Sequence, residues 1–354
     1  MPQLLSRLSV ECLVHGNVVK DDALAWSRMV EETLRSDPVP AAELPPPRCL
    51  LPARGSNDVL RVDVPDPDNL NSAVEFLVYV GDDAYQQLRV RLQLYAQMAQ
   101  ENCFDTLRTK EQLGYLCQSS IRGSVGFQGF RVAVQSERDA GYVESRIEAW
   151  LASFREHVAN LPDAEFESHR TSLINRKLED VKNLSGETNL YWSHIHSGYY
   201  DFDRSACADV SCSLIEAERK DATEIAKLTK ADIVAFADQY LVGSSSSRAK
   251  LAVHMRSQRI NEDVEKRLRT SSLALPEKLE GNPGYAALRE QLVELGNAPA
   301  DVDAALQRAR DDTLPDGVRL LESADAFRSA AEVGPPARPV AAYFDWCGNA
   351  LGMR

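Results

Sequence analysis

The chain has 354 residues, of which 44% are hydrophobic and 26% charged, the balance of an ordinary globular protein with room for two or three domains. Its formal net charge of −13 argues against nucleic acid and anionic membrane as partners and favours long-range attraction of basic peptides. No apolar run approaches the length of a membrane span, and no secretory signal is recognisable. Seven cysteines without paired close spacing indicate a reducing compartment, so a cytoplasmic location is predicted.

The N-terminal segment predicts a short strand at residues 9–15 and then a helix. Asp21 or Asp22 is placed to cap that helix, which ends near Arg35. Six prolines among the sixteen residues 37–52 then favour an extended linker, because proline fixes φ and removes a backbone donor. We therefore predict the end of one domain at residues 1–36 and a proline-rich linker at 37–57.

Residues 58–261 have the pattern of one α+β domain. Alternating apolar residues from Val74 to Val80 predict a strand, and Asp82 and Asp83 are placed to cap the helix that follows. A glycine-rich segment at 121–129 predicts a hairpin, and later apolar stripes predict helices at about 143–158, 162–178, 186–200 and 229–241. With a closing strand at 250–255, this order predicts an antiparallel-rich sheet with helices packed on one side.

The C-terminal part predicts a small helical tail at residues 262–333 and a flexible end at 334–354. Three helices are predicted, at Tyr285–Leu295, Ala300–Arg310 and Pro315–Ser323. Their apolar pattern resembles a ubiquitin-associated three-helix module, although Asn297 stands where that family usually places an aromatic residue. A generic three-helix tail and a ubiquitin-binding tail are both compatible with this pattern.

The most informative segment is the run Phe104–Tyr115, with the sequence FDTLRTKEQLGY. It places Arg108 and Tyr115 seven residues apart, a spacing that returns to nearly the same helix face. Gly114 is expected to end the helix in a left-handed turn, and Tyr115 to open an extended stretch. The two tips would then reach one spot, where they could polarise a carbonyl oxygen. A surface arginine and a tyrosine at the edge of the core are the simpler alternative on spacing alone.

This run resembles the signature of the C-terminal half of the insulin-degrading enzyme and pitrilysin-type zinc metallopeptidases, the inverzincins. The likeness covers about residues 2–260, because further blocks match the family in the same order. These blocks are Pro2–Leu8, Leu13–Asn17, Gln128–Glu137, Tyr142–Arg146, Tyr191–Trp192, Phe202–Arg204 and Leu228–Ile233. The resemblance implies a metallopeptidase-type roll at 58–261, preceded at 1–36 by the end of a second such domain.

The family's zinc motif, His-x-x-Glu-His, does not occur in this sequence, which has six histidines. The nearest match begins with Ser153 where the motif needs a histidine ligand. His194 and His196 would share a face only in a strand, and their surroundings predict a helix. His169 is expected at the edge of the core, and Cys207 and Cys212 lie in a predicted loop insertion at 205–227. We therefore predict no metal site and no catalytic residue acting alone on this chain.

By resemblance, Arg108 and Tyr115 match the pair that binds the substrate backbone opposite the zinc ion. The expected function is that of the substrate-binding half of a zinc metalloendopeptidase, inactive alone. Its partners would be peptide substrates and a zinc-bearing N-terminal half, supplied in cis or in trans; the start at Met1 suggests a fragment, a split gene or a truncated gene model. The alternative is a non-catalytic interaction or scaffold protein of the same fold, binding ubiquitin through its tail.

Overall fold

A computed structural model of the chain describes residues 5–40, 43–45, 47–179, 181–198, 200, 221–279, 281–311, 314 and 317–336. The chain divides into two compact units. The first combines residues 1–49, 175–222 and 335–354, and the second combines residues 50–174 and 223–334. The second unit contains both predicted site residues.

Strands and helices are interspersed along the chain. The strands are Arg7–Leu8 (β1), Asp37–Pro38 (β2), Leu50–Leu51 (β3), Asn57–Asp63 (β4), Ser72–Gly81 (β5), Cys117–Ser124 (β6), Phe127–Ser136 (β7), Ala249–Arg256 (β8), Arg319–Leu321 (β9) and Glu332–Val333 (β10). The helices are Lys20–Leu34 (α1), Gln86–Cys103 (α2), Ala140–Asn160 (α3), Asp163–Lys177 (α4), Leu184–His196 (α5), Lys230–Tyr240 (α6), Glu262–Arg269 (α7), Tyr285–Glu294 (α8), Pro299–Arg310 (α9) and Ala324–Ala330 (α10). A π-helical segment, Phe104–Lys110, continues α2.

The second unit is built on a sheet with the strand order β6-β7-β5-β8-β4-β9. The pairs β6/β7, β7/β5 and β5/β8 are antiparallel, whereas β8/β4 and β4/β9 are parallel. Val74, Phe76 and Val78 on the central strand β5 are buried, while Glu75 and Leu77 between them are partly exposed. Such alternation shows that one face of the sheet is covered and the other is open. The predicted α+β roll with helices on one side is confirmed.

The covered face carries the main core of the unit. Helices α2, α3 and α6 pack there, and Tyr95 makes edge-on ring contacts with Phe130 and Phe154 at 5.1 and 5.3 Å. Trp150 stacks on Phe154 and donates from its indole nitrogen to Asn102 at 2.9 Å. These large buried rings rigidly fix the helices that lead to and away from the candidate site.

Two predictions near the N-terminus are wrong in detail. Residues 9–15 do not form a strand; side-chain contacts hold this segment, including a 2.8 Å hydrogen bond between His15 Nδ1 and Thr188 Oγ1. Helix α1 begins after Val19, with no side-chain cap, so Asp21 and Asp22 lie inside its first turn. Carboxylates in a first turn still interact favourably with the helix dipole.

The cap predicted for α2 is also displaced along the chain. The N-cap residue is Tyr85 and not Asp82 or Asp83. Asp82 Oδ1 instead accepts a hydrogen bond from the Ala84 nitrogen at 2.8 Å, forming a turn before the helix starts. Asp82 therefore accepts a hydrogen bond from a nearby backbone N–H, as a capping aspartate would, but it does so in the turn before the helix.

The C-terminal part differs from the predicted tail of three consecutive helices. Helices at Tyr285–Glu294 and Pro299–Arg310 agree with the prediction, but the third, at Pro315–Ser323, is wrong: Arg319–Leu321 is strand β9, which joins the main sheet beside β4. The guanidinium of Arg319 binds both carboxylate oxygens of buried Asp58 at 2.7 Å and fixes the strand there. The ubiquitin-associated pattern is therefore not realised as predicted.

Helix α7, which no sequence pattern indicated, completes a different cluster with α8 and α9. Their shared apolar core includes Val264, Leu268, Leu288, Leu292 and Val302. This cluster is tied to the N-terminus of α3 by charge pairs. Arg138 donates twice to Asp263, at 2.7 and 2.8 Å, and Arg267 donates to Asp139 at 2.9 Å.

The predicted loop insertion at 205–227 is wrong in its last part. Residues 221–227 are helical, and Ile225 is fully buried in the main core. An apolar residue buried this deeply belongs to a packed helix and not to an exposed loop. Residues 205–220, including Cys207 and Cys212, lie outside the described part of the chain. No helix in the described ranges is long and apolar enough to cross a membrane.

Candidate functional site

Arg108 lies on a helical segment of unusual geometry. The α2 helix continues into the π-helical segment Phe104–Lys110, which closes with a hydrogen bond of 2.9 Å from the Glu111 nitrogen to the Thr106 oxygen. A regular α-helix extending to Gly114 was predicted, so both the helix type and its end differ from the prediction. Short π-helical stretches are uncommon and often occur at functional sites, because the extra residue in the turn redirects side chains.

The structure brings the two predicted site residues into contact. The guanidinium carbon of Arg108 lies 4.4 Å from the centre of the Tyr115 ring and 4.7 Å from the centre of the Phe104 ring. The Tyr115 side chain is 84% exposed, and that of Phe104 is 44% exposed. No carboxylate in the described part of the chain forms an ion pair with Arg108. Two aromatic rings therefore hold the positive charge of Arg108, which is itself partly exposed.

Gly114 has a different role from the predicted helix cap. It is not in the left-handed region; Gln112 takes that conformation, with φ of 52°. A Cβ atom added at Gly114 would lie 1.9 Å from the Gln135 oxygen on β7. Glycine is required at this position because the backbone before Tyr115 passes directly against the neighbouring strand.

Two contacts hold the turn between Arg108 and Tyr115. Arg146 on α3 donates to both oxygens of Glu111, at 2.7 and 2.8 Å. The hydrogen bonds to Glu111 raise the pKa of Arg146, so its guanidinium group holds its proton more firmly. On the other side of the turn, the buried hydroxyl of Ser136 donates to the Leu113 oxygen. No sequence pattern predicted a role for these three side chains. Their only signal was position, since Glu111 lies in the run Phe104–Tyr115, and Ser136 and Arg146 lie in the matched blocks Gln128–Glu137 and Tyr142–Arg146.

Two cysteines flank the site. Burial raises the pKa of the Cys103 thiol to about 12. Burial also raises the pKa of Cys117, and the positive charge of Arg108 opposes that shift. Both thiols therefore stay protonated at neutral pH. Cys12, Cys49, Cys103 and Cys117 have free thiols.

The described residues do not fit a zinc site. Within the ranges that the structure covers, no three His, Cys, Asp or Glu side chains are grouped so that they could hold a metal ion. His194 and His196 lie on helix α5, as predicted, and residues two apart on a helix point about 200° apart. His169 is partly buried on α4 between Phe166 and Leu173, as expected for the edge of a core.

Comparisons with known proteins relate this chain to a known family. Residues 94–192, which contain the site, match the family model described as "PQQ synthase PqqF-like, C-terminal lobe domain 4". Human insulin-degrading enzyme is 36% identical over 269 residues, covering 72% of this chain and 24% of the human protein. The A-factor-processing enzyme of Saccharomyces cerevisiae is 29% identical over 269 residues, covering 75% of this chain and 24% of the yeast protein.

The solved structure of pitrilysin shares the fold, with a TM-score of 0.60 and 16% sequence identity. That likeness covers 91% of this chain and 27% of pitrilysin. The one-sided roll and the matched site segment define an M16-type metallopeptidase fold. Within that class, the chain belongs to the insulin-degrading enzyme and pitrilysin family, and it corresponds to part of the C-terminal half of its members. It spans about a quarter of the length of the relatives it matches.

Proposed function

We propose that this chain is the substrate-binding part of a zinc metalloendopeptidase of the insulin-degrading enzyme type. The observation that carries this proposal is the partly exposed Arg108, whose guanidinium group stacks on Tyr115 and has no carboxylate partner among the described residues. A charged group presented in this way is available to a ligand. In a chain with 53 acidic and 40 basic residues, an unpaired arginine held by two rings is unlike a solvated surface charge.

The chemistry of the pair suits a peptide carbonyl. Arg108 offers fixed N–H donors and Tyr115 a hydroxyl donor, and both would bind the oxygen that gains negative charge during peptide hydrolysis. The aromatic rings restrict the guanidinium group, so less conformational entropy is lost when it binds. Arg108 and Tyr115 would thereby orient the substrate and stabilise developing charge, while the attacking water is activated elsewhere.

The neighbouring strand suits an extended peptide. The Gln135 nitrogen donates to the Leu116 oxygen at 2.9 Å, so Leu116 and alternate residues after it direct their peptide groups toward β7. Cys117, Ser119 and Ile121 then direct their N–H and C=O groups to the opposite side. Among the described strands, β6 has a neighbour on one side only. An extended substrate could therefore pair along this edge and reach Arg108 and Tyr115.

Zinc would have to come from another part of the assembled enzyme. Since the described residues do not fit the metal, no catalytic step is assigned to it. A zinc-bearing half, in cis or in trans, would supply the ion that activates water in such peptidases. The chain alone would then bind peptides without cleaving them, and the cytoplasm remains its predicted location.

Insulin is the substrate named for the human relative, which makes its B chain a suitable probe. The net charge of −13 further favours basic peptides, with an attraction that salt weakens. Fluorescein-labelled oxidised B chain should bind the purified chain, and its affinity should fall as ionic strength rises.

The deciding experiment measures cleavage of this labelled B chain by the protein, with and without a separately purified zinc-bearing half of a family member. Activity is expected only in the mixture, and it should be lost in the mixture that contains Arg108→Ala. Cleavage by the chain alone, or full activity of the variant mixture, would contradict the proposal. The alternative of a scaffold protein would gain from ubiquitin binding by the intact chain without any peptide binding.

A further inference from the structure

The turn that joins Arg108 to Tyr115 has a strained backbone. Gln112 adopts a left-handed conformation with φ of 52°, which is unfavourable for a residue with a side chain. Such conformations persist when the surrounding structure holds them, and they concentrate at binding sites. Gln112 lies between Glu111 and Leu113, the two residues that neighbouring elements anchor.

The anchor at Glu111 is the stronger of the two by its chemistry. Arg146 binds both carboxylate oxygens, a geometry that fixes orientation as well as distance. The Glu111 side chain is 21% exposed and that of Arg146 is 37% exposed, so the pair is partly shielded from water. Arg146 lies on α3, which the buried rings of Trp150 and Phe154 fix in the core. The pair thus connects the turn to a helix that is anchored in the core.

We infer that Glu111 and Arg146 are positioning residues, which hold the strained turn so that Tyr115 stacks on Arg108 and both face the substrate. Glu111 follows Arg108 by three residues and precedes Tyr115 by four, so a shift at Glu111 would move both side chains. Without this pair, the turn would relax from the left-handed conformation at Gln112 and separate the two donors. This inference rests on the proposed function, since it concerns the same peptide site.

The chain provides a matched control on the same helix. Arg155 of α3 makes an equally bidentate pair with Asp238 of α6, at 2.8 Å for both contacts. That pair also joins two elements of the roll, but it does not touch the turn. If ion pairs on α3 matter only for stability, loss of either pair would have the same effect on peptide binding.

The test measures binding of fluorescein-labelled oxidised insulin B chain to the full-length protein by fluorescence anisotropy. Arg146→Met is expected to raise Kd about tenfold, the usual effect of losing a charge-assisted hydrogen bond. Arg155→Met should leave Kd within about twofold of wild type. The triple variant R108A/Y115A/R146M should bind no more weakly than R108A/Y115A, because Arg146 acts only through these two side chains. The exchanged pair E111R/R146E should recover most of the lost affinity.

Four outcomes would overturn either the positioning role of Glu111 and Arg146 or the proposed function itself. Wild-type affinity in Arg146→Met, or equal losses in Arg146→Met and Arg155→Met, overturns the inference. A further loss in R108A/Y115A/R146M beyond that of R108A/Y115A also overturns it, because it would mark Arg146 as an independent contact with the peptide. If Arg108→Ala itself binds like wild type, the proposed function fails, and this is distinguishable from failure of the positioning role. Should Arg146→Met not fold, Glu111→Gln gives the same test from the other partner.

Discussion

The guanidinium group of Arg108 lies over the ring of Tyr115, with 4.4 Å between the guanidinium carbon and the ring centre. Tyr115 therefore has two possible contributions: its ring supports the cation, and its hydroxyl can donate to a ligand. Spacing along the sequence predicted that the two side chains would approach one spot, but it did not predict that one would rest on the other. This relationship allows the two contributions to be measured separately.

Substitutions at Tyr115 and Arg108 should differ in severity in the assembled two-half enzyme. Tyr115→Phe removes only the hydroxyl, whereas Tyr115→Ala also removes the support for Arg108 and should be more damaging. Arg108→Ala should lower kcat by about 10²- to 10³-fold, since loss of one transition-state donor typically costs about 2.7–4 kcal/mol. Steady-state kinetics with labelled insulin B chain measure these effects. Equal activities of Tyr115→Phe and Tyr115→Ala would show that stacking of the ring on Arg108 does not contribute to activity.

The sequence predicted the roll well because most of its strands and helices have clear apolar periodicity. Strand β4 was missed since Asp58, Arg61 and Asp63 interrupt its pattern. These charges are satisfied by partners far along the chain: Asp58 by Arg319, and Asp63 by Arg256 and Arg310. Long-range ion pairs of this kind cannot be seen in local sequence. The same cause explains why β9 was predicted as part of a helix.

At the candidate site, the sequence identified Arg108 and Tyr115 but not the contacts that hold them in place. The prediction from the spacing of Arg108 and Tyr115 assumed an α-helix, whereas Arg108 lies on a π-helical segment that ends before Tyr115. A left-handed turn was predicted at Gly114 because glycine generally favours that conformation. Glycine is instead required there because the backbone of Gln135 lies too close for a side chain. The role of Gly114 arises from packing against β7, which no local pattern records.

Replacement of Gly114 by alanine should disturb the site and the fold together. The added Cβ would lie 1.9 Å from the Gln135 oxygen, a contact that only a backbone shift can relieve. Overpacking of this kind typically costs about 1–3 kcal/mol, so urea unfolding should show a lower midpoint, and peptide binding should weaken. Gly123→Ala is the matched control, because no atom lies within 4 Å of its added Cβ. If Gly114→Ala is as stable as Gly123→Ala, the close approach of Gly114 to the Gln135 oxygen is refuted.

Glu144 should be essential for stability because it pairs with two buried groups at once. Lys250 and His254, both on β8, contact its two carboxylate oxygens, and all three side chains are buried. Glu144→Gln would leave the Lys250 ammonium without a counter-charge, at a cost of about 3–5 kcal/mol. Urea unfolding at neutral pH measures this loss. The exposed Glu156→Gln on the same helix should change stability by no more than about 0.5 kcal/mol.

The effect of Glu144 should also depend on pH. Burial alone would raise the pKa of this carboxyl, but the hydrogen bond with His254 and the charge of Lys250 outweigh it and lower the pKa below the ordinary 4.5. A lowered folded-state pKa means that the stabilisation is present above pH 4.5 and is lost as the pH falls through the folded value. The difference in unfolding free energy between wild type and Glu144→Gln should therefore shrink in acid. A difference that stays constant from neutral pH to about pH 3 would contradict this coupling.

Arg319 should hold the C-terminal strand against the edge of the sheet. Its guanidinium binds both oxygens of Asp58, whose carboxylate is buried, so Arg319→Ala would leave an uncompensated buried charge. Release of β9 would then expose the edge of β4, and unpaired strand edges promote self-association. We expect faster hydrogen exchange in Asn57–Asp63 and concentration-dependent oligomers in light scattering. Arg328→Ala removes an exposed pair with Asp325 on helix α10 and serves as the control. If both variants scatter light as the wild type does and show unchanged exchange in β4, the Arg319–Asp58 pair is not what retains the strand.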